Sequence, residues 1–360
     1  MANWWLNEKD SKERWEALMR GETSDRVPVF PLMLGHAGII MGYKVLGDLY
    51  RFPKVAERCQ SAAKEMYGHD QPKLTLSRLH HARCVAWGGE VEYPYRPRMS
   101  SVVCTKPPVD KPEDIERLEV PDPRVAYGDE FFEVVNSWIE QKDPFMLYVG
   151  AGMISSTAPW LIEIEKLLLY MIRQPELAHK MLDITLEYGA RTLECFVEEF
   201  GTDWPVWDAT PTDSNVLVSA EFFGKFVLSR MIKNHQKALD LGIPMWFTHW
   251  CADHTESIKA GHVDQIPMGN PGMIHFGPEV PLKDYVERYG NKNIIMGNVD
   301  PPSLMFKSPD EVLELCKKNI EEGMEASKGY VLACGCELPP PAPPANVYTM
   351  TKAVREYGRY

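Results

Sequence analysis

Two short stretches bring metal-binding side chains together. His249-Trp250-Cys251 puts an imidazole and a thiol at positions i and i+2, which share one face of an extended chain. Cys334-Gly335-Cys336 adds two thiols at the close of another apolar run. One nitrogen and two sulfurs suit Zn²⁺, and three protein ligands would leave a fourth position open for water or substrate. A metal held that way polarises a bound oxygen or generates a thiolate. His249, Cys251 and Cys336 are therefore the expected ligands. Gly335 invites a turn, so Cys336 is expected at a rim and Cys334 in the core, as a reserve ligand. The plainer alternative is that both pairs are packing residues, and spacing alone leaves it open.

Both pairs sit where strand-like runs end. Such runs occur at Val27–Leu34, Phe145–Val149, Trp204–Trp207, Pro244–His249, Ile294–Gly297 and Tyr330–Cys334, with weaker ones at Lys73–Leu76 and Met273–Phe276. Helical patterns lie between and after them at Glu163–Arg173, Pro175–Phe200, Ala220–Leu241, Leu282–Tyr289, Pro309–Ala326 and Pro344–Tyr357. Continuous apolar strands alternating with helices predict a parallel sheet buried on both faces. About eight strands in this length favour a closed (β/α)8 barrel over an open doubly wound sheet. A short amphipathic helix, Ser11 to Gly21, precedes the first strand as an N-terminal extension. Residues 90–122, rich in proline and basic side chains, read as an irregular excursion, such as a hairpin, within a single domain spanning 1–360. The run Pro339-Pro340-Pro341-Ala342-Pro343-Pro344 makes a stiff exit from the last strand.

In a barrel, functional groups gather at the carboxyl ends of the strands. That rule selects Asp208 as a general acid/base or as the acceptor that orients His249, with a loop-capping carboxylate as the alternative. It selects His36 as a pocket residue with a catalytic role, and Asn298 as a substrate contact at the rim. Tyr148, Met153, Trp207, Phe247 and Trp250 could line an aromatic pocket. Asp253 and His254 read as caps for the next helix, and His80-His81 as surface. Gly150 and Gly152 form a lone G-x-G, too little for a dinucleotide site.

Composition narrows the partners. A net charge of −12 argues against a nucleic-acid footprint. No stretch approaches the roughly 20 apolar residues of a membrane span, and the charged opening is no signal peptide. A cytoplasmic protein is expected, with its eight cysteines reduced. A homodimer is left open.

At these residues the chain resembles the uroporphyrinogen decarboxylase superfamily over nearly its whole length. The resemblance rests on Arg14 … Leu18-Met19-Arg20-Gly21-Glu22 … Asp25-Arg26-Val27-Pro28, on Ser219-Ala220-Glu221-Phe222-Phe223, on Gly297-Asn298-Val299-Asp300-Pro301 with Ser308-Pro309-Asp310-Glu311, and on Gly335-Cys336-Glu337-Leu338-Pro339 … Ala345-Asn346. It implies the (β/α)8 barrel. Decarboxylases of that superfamily hold a polycarboxylate with arginines after the first strand and carry an aspartate after the second. Here no arginine falls between Arg26 and Arg51, and Lys73-Leu74-Thr75-Leu76-Ser77-Arg78 offers no aspartate.

The corrinoid-dependent methyltransferases of the same superfamily carry H-x-C and a distant cysteine as zinc ligands, which match His249, Cys251 and Cys336. Ala252 stands where that branch often has glycine. The resemblance therefore implies zinc, and a corrinoid (cobalamin) carried by a separate protein. The aromatic residues lean the substrate towards a methoxylated phenol whose methyl passes to cobalt. Methyl transfer from a methyl-corrinoid protein to a thiol, as in the coenzyme M type, is the alternative, and porphyrinogen decarboxylation a remote one.

Overall fold

The computed structural model describes residues 9–97, 99–149 and 157–360. Prolines and one left-handed residue decide where its first strand stops. The apolar run from Val27 forms a strand only at Val29–Phe30 (β1). Pro28 and Pro31 lack the N–H a ladder needs, and Leu32 has φ 52°. The remaining strands are β2 (Lys73–Leu74), β3 (Glu90–Glu92), β4 (Val103–Lys106), β5 (Phe145–Tyr148), β6 (Val206–Ala209), β7 (Trp246–Trp250), β8 (Gly272–Phe276), β9 (Asn293–Val299) and β10 (Tyr330–Cys334). Eight belong to the parallel array, and the excursion supplies β3 and β4 as an antiparallel hairpin with a bulge at Glu90/Val91.

Contacts group the chain into two compact units. The first comprises 1–42, 58–73 and 270–360. Its strands run β1-β10-β9-β8, all parallel. Every residue of β8 and β10 is buried, as a sheet covered on both faces requires. Helices Pro309–Gly323 and Pro344–Tyr357 pack against one another.

The stretches that carry the family resemblance do identifiable work here. Ser308 and Glu311 form a reciprocal capping box at the start of Pro309–Gly323. Asp300 accepts from the Ser303 N–H at 2.9 Å and starts helix Pro301–Phe306. Asn346 donates to the Leu304 and Lys307 carbonyls at 3.0 and 2.9 Å, closing the end of that helix. The N-terminal helix Ser11–Met19 opens on a capping box of Asp10 and Glu13.

Its Arg14 enters a buried ionic network. Arg14 holds Asp25 through Nε at 2.8 Å and Nη2 at 2.9 Å. It reaches Asp70 through Nη1 at 2.9 Å. Arg26 Nη1 also donates to Asp70, at 2.7 Å, as does the Val29 N–H, at 2.9 Å. Burial would raise the Asp25 pKa, but the Arg14 guanidinium pulls it down to about 2.

The second unit comprises 43–57 and 74–269. Its strands run β7-β6-β5, with β2 next to β5. The long helix Pro175–Phe200 and helix Ile164–Arg173 pack together. The helical run starting at Ala220 is continuous to Asp240 but takes π geometry at Phe223–Leu228. Ser219 caps its start through the Phe222 N–H at 3.2 Å. Gly224 makes room there for the His262 ring, which a Cβ would approach tightly, at 3.0 Å.

Among the described residues no helix is long and apolar enough to cross a membrane. No disulfide joins any of the eight cysteines among the described residues.

Candidate metal centre and its surroundings

Strand alternation sorts the side chains of β6 and β7. The register pairs Val206 with Trp246, Trp207 with Phe247, Asp208 with Thr248 and Ala209 with His249. Registered residues on parallel neighbours point the same way, and successive residues point oppositely. One face meets helix Ser229–Asp240. On it the His235 ring stacks on Trp246 at 4.0 Å, and His235 Nε2 bonds Asp208 Oδ2 at 3.0 Å. The opposite face carries Tyr148, Trp207, Phe247 and His249. There the Tyr148 and Trp207 rings lie 4.9 Å apart, and Trp207 and Phe247 stack at 5.8 Å.

This sorting corrects two expectations. Asp208 is fully buried on the helix side with His235, one face away from His249. Its hydrogen-bond partner is His235, not His249. Trp250 shares that outer face, with Phe223 at 6.2 Å and His254 at 5.1 Å. It is helix packing, not pocket lining. A strand's polar residue and its aromatic neighbour cannot both face inward when they are one position apart.

His36 and Asn298 also have structural partners. His36 lies in a helix, Gly35–Ile40, and both ring nitrogens are engaged, with the Pro340 carbonyl and the Tyr67 hydroxyl at 2.8 Å each. Burial lowers its pKa, and its ring pins the first strand's exit to the proline run. Asn298 Nδ2 donates to the Val280 carbonyl at 2.9 Å and ties that loop to β9. Gly150, Gly152 and Met153 lie outside the described residues.

His249, Cys251 and Cys336 offer ligand atoms within 4.8 Å of one another. His249 is buried, and the two cysteines are half-buried. Zn–S bonds near 2.3 Å and Zn–N bonds near 2.0 Å put tetrahedral donors roughly 3.5–3.8 Å apart. One imidazole and two thiols at this spacing fit zinc after small side-chain rotations. Cys334 is fully buried at the end of β10, and burial pushes its pKa up.

After Cys251 the chain turns through Ala252 at φ 63°, a left-handed conformation that favours glycine. Asp253 then accepts from the Thr255 N–H at 2.8 Å, and His254 Nε2 meets the Cys251 carbonyl at 2.9 Å. Glu337, next to Cys336, accepts from the Gly35 N–H at 3.2 Å. Burial lifts its pKa to about 7.

Three buried polar groups escaped the sequence reading. His235 was hidden within a regular helix. Asp213 follows β6 in a loop and is fully buried, with no partner for either oxygen among the described residues. Burial, with the Asp208 charge adding to it, pushes the Asp213 pKa up to about 8. Arg83 ends helix Leu79–Arg83, where it interrupts the apolar stripe of Leu79 and Ala82. A cation on an apolar stripe is the signal that would have found it. Its neighbour His80, read as surface, is buried with its ring 4.8 Å from Trp160.

Asp213 carries a pH prediction. The folded chain keeps its proton up to about pH 8, while the unfolded carboxyl releases it near 3.8. This group's contribution to stability is therefore full below pH 3.8 and falls as pH rises towards 8. Asp213→Asn needs no proton, so its Tm should decline less between pH 5 and pH 8 than that of the parent. Parallel melting curves across that window would refute the assignment.

A family model, uroporphyrinogen decarboxylase (URO-D), matches residues 10–357. The methylcobamide:CoM methyltransferase MtaA of Methanosarcina barkeri is 24% identical over 369 residues, covering 98% of this chain and 99% of that protein. MtbA of Methanosarcina mazei, another methylcobamide:CoM methyltransferase, is 25% identical over 181 residues, covering 49% of this chain and 48% of that protein. The uroporphyrinogen decarboxylase of Geobacillus kaustophilus is 23% identical over 353 residues, covering 94% and 95% of the two chains. A solved methyltransferase from Methanosarcina mazei superposes with TM-score 0.77 over 97% of this chain and 99% of that one, at 20% identity. That likeness and the parallel strand array make the fold a uroporphyrinogen decarboxylase-like (β/α)8 barrel. The chain belongs to the uroporphyrinogen decarboxylase family.

Proposed function

We propose that the chain is a zinc-dependent methyltransferase that moves a methyl group from an O-methyl donor, a methoxylated phenol, to the cobalt of a separate corrinoid protein. The observation that carries this reading is the donor cluster of His249, Cys251 and Cys336. Relatives named as methylcobamide methyltransferases support it. So does the absence of any arginine between Arg26 and Arg51, where a polycarboxylate would need cations.

When bound, zinc supplies Lewis acidity towards the oxygen that loses its methyl. His249 and the two thiolates would hold it and leave one position for that oxygen. Trp207 and Phe247, stacked on one another with Tyr148 edge-on to Trp207, share the strand face of His249 and would keep water from that side of a substrate. Asp208 and His36 take no part in the reaction.

A thiol acceptor is the second reading, favoured by the coenzyme M activity in the relatives' names. Purified protein is mixed with reduced free cobalamin and methoxyphenols, and methylation is followed by cobalamin absorbance. The proposal expects a turnover-dependent change that needs zinc. Inertness towards every aryl ether, together with thiol methylation from methylcobalamin, would refute the donor and establish the alternative.

A further inference from the structure

Two thiols outside the donor cluster meet at the hairpin. Cys84 Sγ and Cys104 Sγ lie 3.7 Å apart, from residues 20 positions apart in the chain. The backbone on each side builds this approach. Cys84 stands between helix Leu79–Arg83 and the turn Val85–Trp87, and its carbonyl accepts from the Trp87 and Gly89 N–H groups, each at 3.1 Å. Those bonds fix the start of the hairpin to Cys84. Gly89 lets the chain pass close over the sulfur, because a Cβ there would lie 2.7 Å from Cys84 Sγ and 2.9 Å from the Lys106 carbonyl. The bulge at Glu90/Val91 follows at once, and a bulge re-aims the side chains of a strand. On the facing strand Cys104 is half-buried while Val103, Thr105 and Lys106 are exposed, so it is the residue of β4 that turns inward.

The two sulfurs differ in what they can do. Cys84 is fully buried, and burial pushes its pKa up, so it rests as an unreactive thiol. Cys104 is half-buried on a solvent-facing strand and is the sulfur that an oxidant reaches first. A disulfide needs about 2.05 Å between sulfurs. The remaining gap closes if each sulfur moves by about 0.8 Å, which rotation of the two side chains can supply.

We infer that Cys84 and Cys104 form a reversible dithiol–disulfide couple that takes a peroxide as its oxidant. The Cys104 sulfur takes a hydroxyl from the peroxide and becomes a sulfenic acid, while the second peroxide oxygen leaves as water with the thiol proton. The Cys84 sulfur then displaces that hydroxyl. An S–S bond forms, the S–O bond breaks, and the Cys84 proton leaves with the hydroxyl as a second water. Two thiols and one hydrogen peroxide thus give one disulfide and two waters, and a dithiol reductant reverses the change. The closed link clamps the hairpin to the end of helix Leu79–Arg83. In reducing compartments, pairs that cycle in this way serve sensing or catalysis and not static bracing. The couple is independent of the methyl-transfer reading.

The test treats the purified full chain with hydrogen peroxide and digests it with trypsin in the absence of reductant. Arg98 lies between the two cysteines, so only a disulfide keeps their peptides joined. Mass spectrometry should find the joined pair in most chains, and dithiothreitol should return both thiols. Cys84→Ser lacks the sulfur that resolves the sulfenic acid, so the same dose should carry Cys104 on to a sulfinic acid, about 32 Da heavier. The linked chain should melt no lower than the reduced one. The mapping of the unaltered chain stands even where a variant fails to fold. Cys104 oxidised in the parent without a link to Cys84 would overturn the inference, as would two intact thiols at a large excess of peroxide. A linked chain that melts below the reduced one would overturn it too, since the folded state would then not accommodate the bond.

Discussion

His249→Ala and Cys336→Ala are each expected to reduce bound zinc from about one per chain to less than about a tenth, and methyl transfer by at least about 10³-fold. Two remaining donors cannot close a catalytic zinc site, and the released thiol regains its proton. Cys334→Ala should keep its zinc, because Cys334 is fully buried at the end of β10 and is not one of the clustered donors. The pair of results matters more than either alone. Metal analysis on gel-filtered protein, with circular dichroism to confirm folding, decides it. Zinc retained by both His249→Ala and Cys336→Ala would mean a different ligand set. Zinc lost by Cys334→Ala with Cys336→Ala unaffected would exchange the two cysteines.

Asp70→Ala should be the most damaging single change to stability, at about 3–5 kcal/mol. Asp70 is 2% exposed and accepts from Arg14, Arg26 and the Val29 N–H. Its removal takes one buried carboxylate from both Arg14 and Arg26 and frees a β1 amide from its acceptor. Arg14 keeps Asp25, so the loss falls mainly on Arg26 and on the strand. Tm should drop by roughly 5–10 °C in a chain of this size. A fall below about 2 °C would show that water reaches the arginines and restores their solvation. Asp25→Ala, at the more exposed end of the network, should cost less.

Much of this network was visible in the sequence as pattern without meaning. Arg14, Asp25 and Arg26 were legible as part of a family signature, but Asp70, which binds two of them, lies 44 residues beyond Arg26 in an unremarkable loop. The strands were readable because their residues are continuously apolar. Their lengths were not, since Leu32 turns left-handed and cuts the first strand short. The cluster of His249, Cys251 and Cys336 was legible because imidazole and thiol at i and i+2 are chemically distinctive. Asp208 misled for a geometric reason. Its position at a strand end was right, but the side it faces depends on a period of two, and the register that fixes it is set by neighbouring strands. Asp213 and Arg83 were missed because burial of a charge is a tertiary property. Ala252 shows the reverse case: a departure from the family pattern, visible in sequence, falls on a residue whose backbone is left-handed.

The buried guanidinium of Arg83, whose Nε and Nη1 meet no acceptor among the described residues, also bears on the lifetime of the protein. A chain that stores a charge without a counter-ion is weakest when empty. An anion that binds only the folded form returns about 2.7 kcal/mol at 100 times its dissociation constant. Where marginal stability sets exposure to proteases, such a gain changes abundance several-fold. Any anion that paired with Arg83 would then act as a folding ligand, and the amount of folded protein would follow its supply.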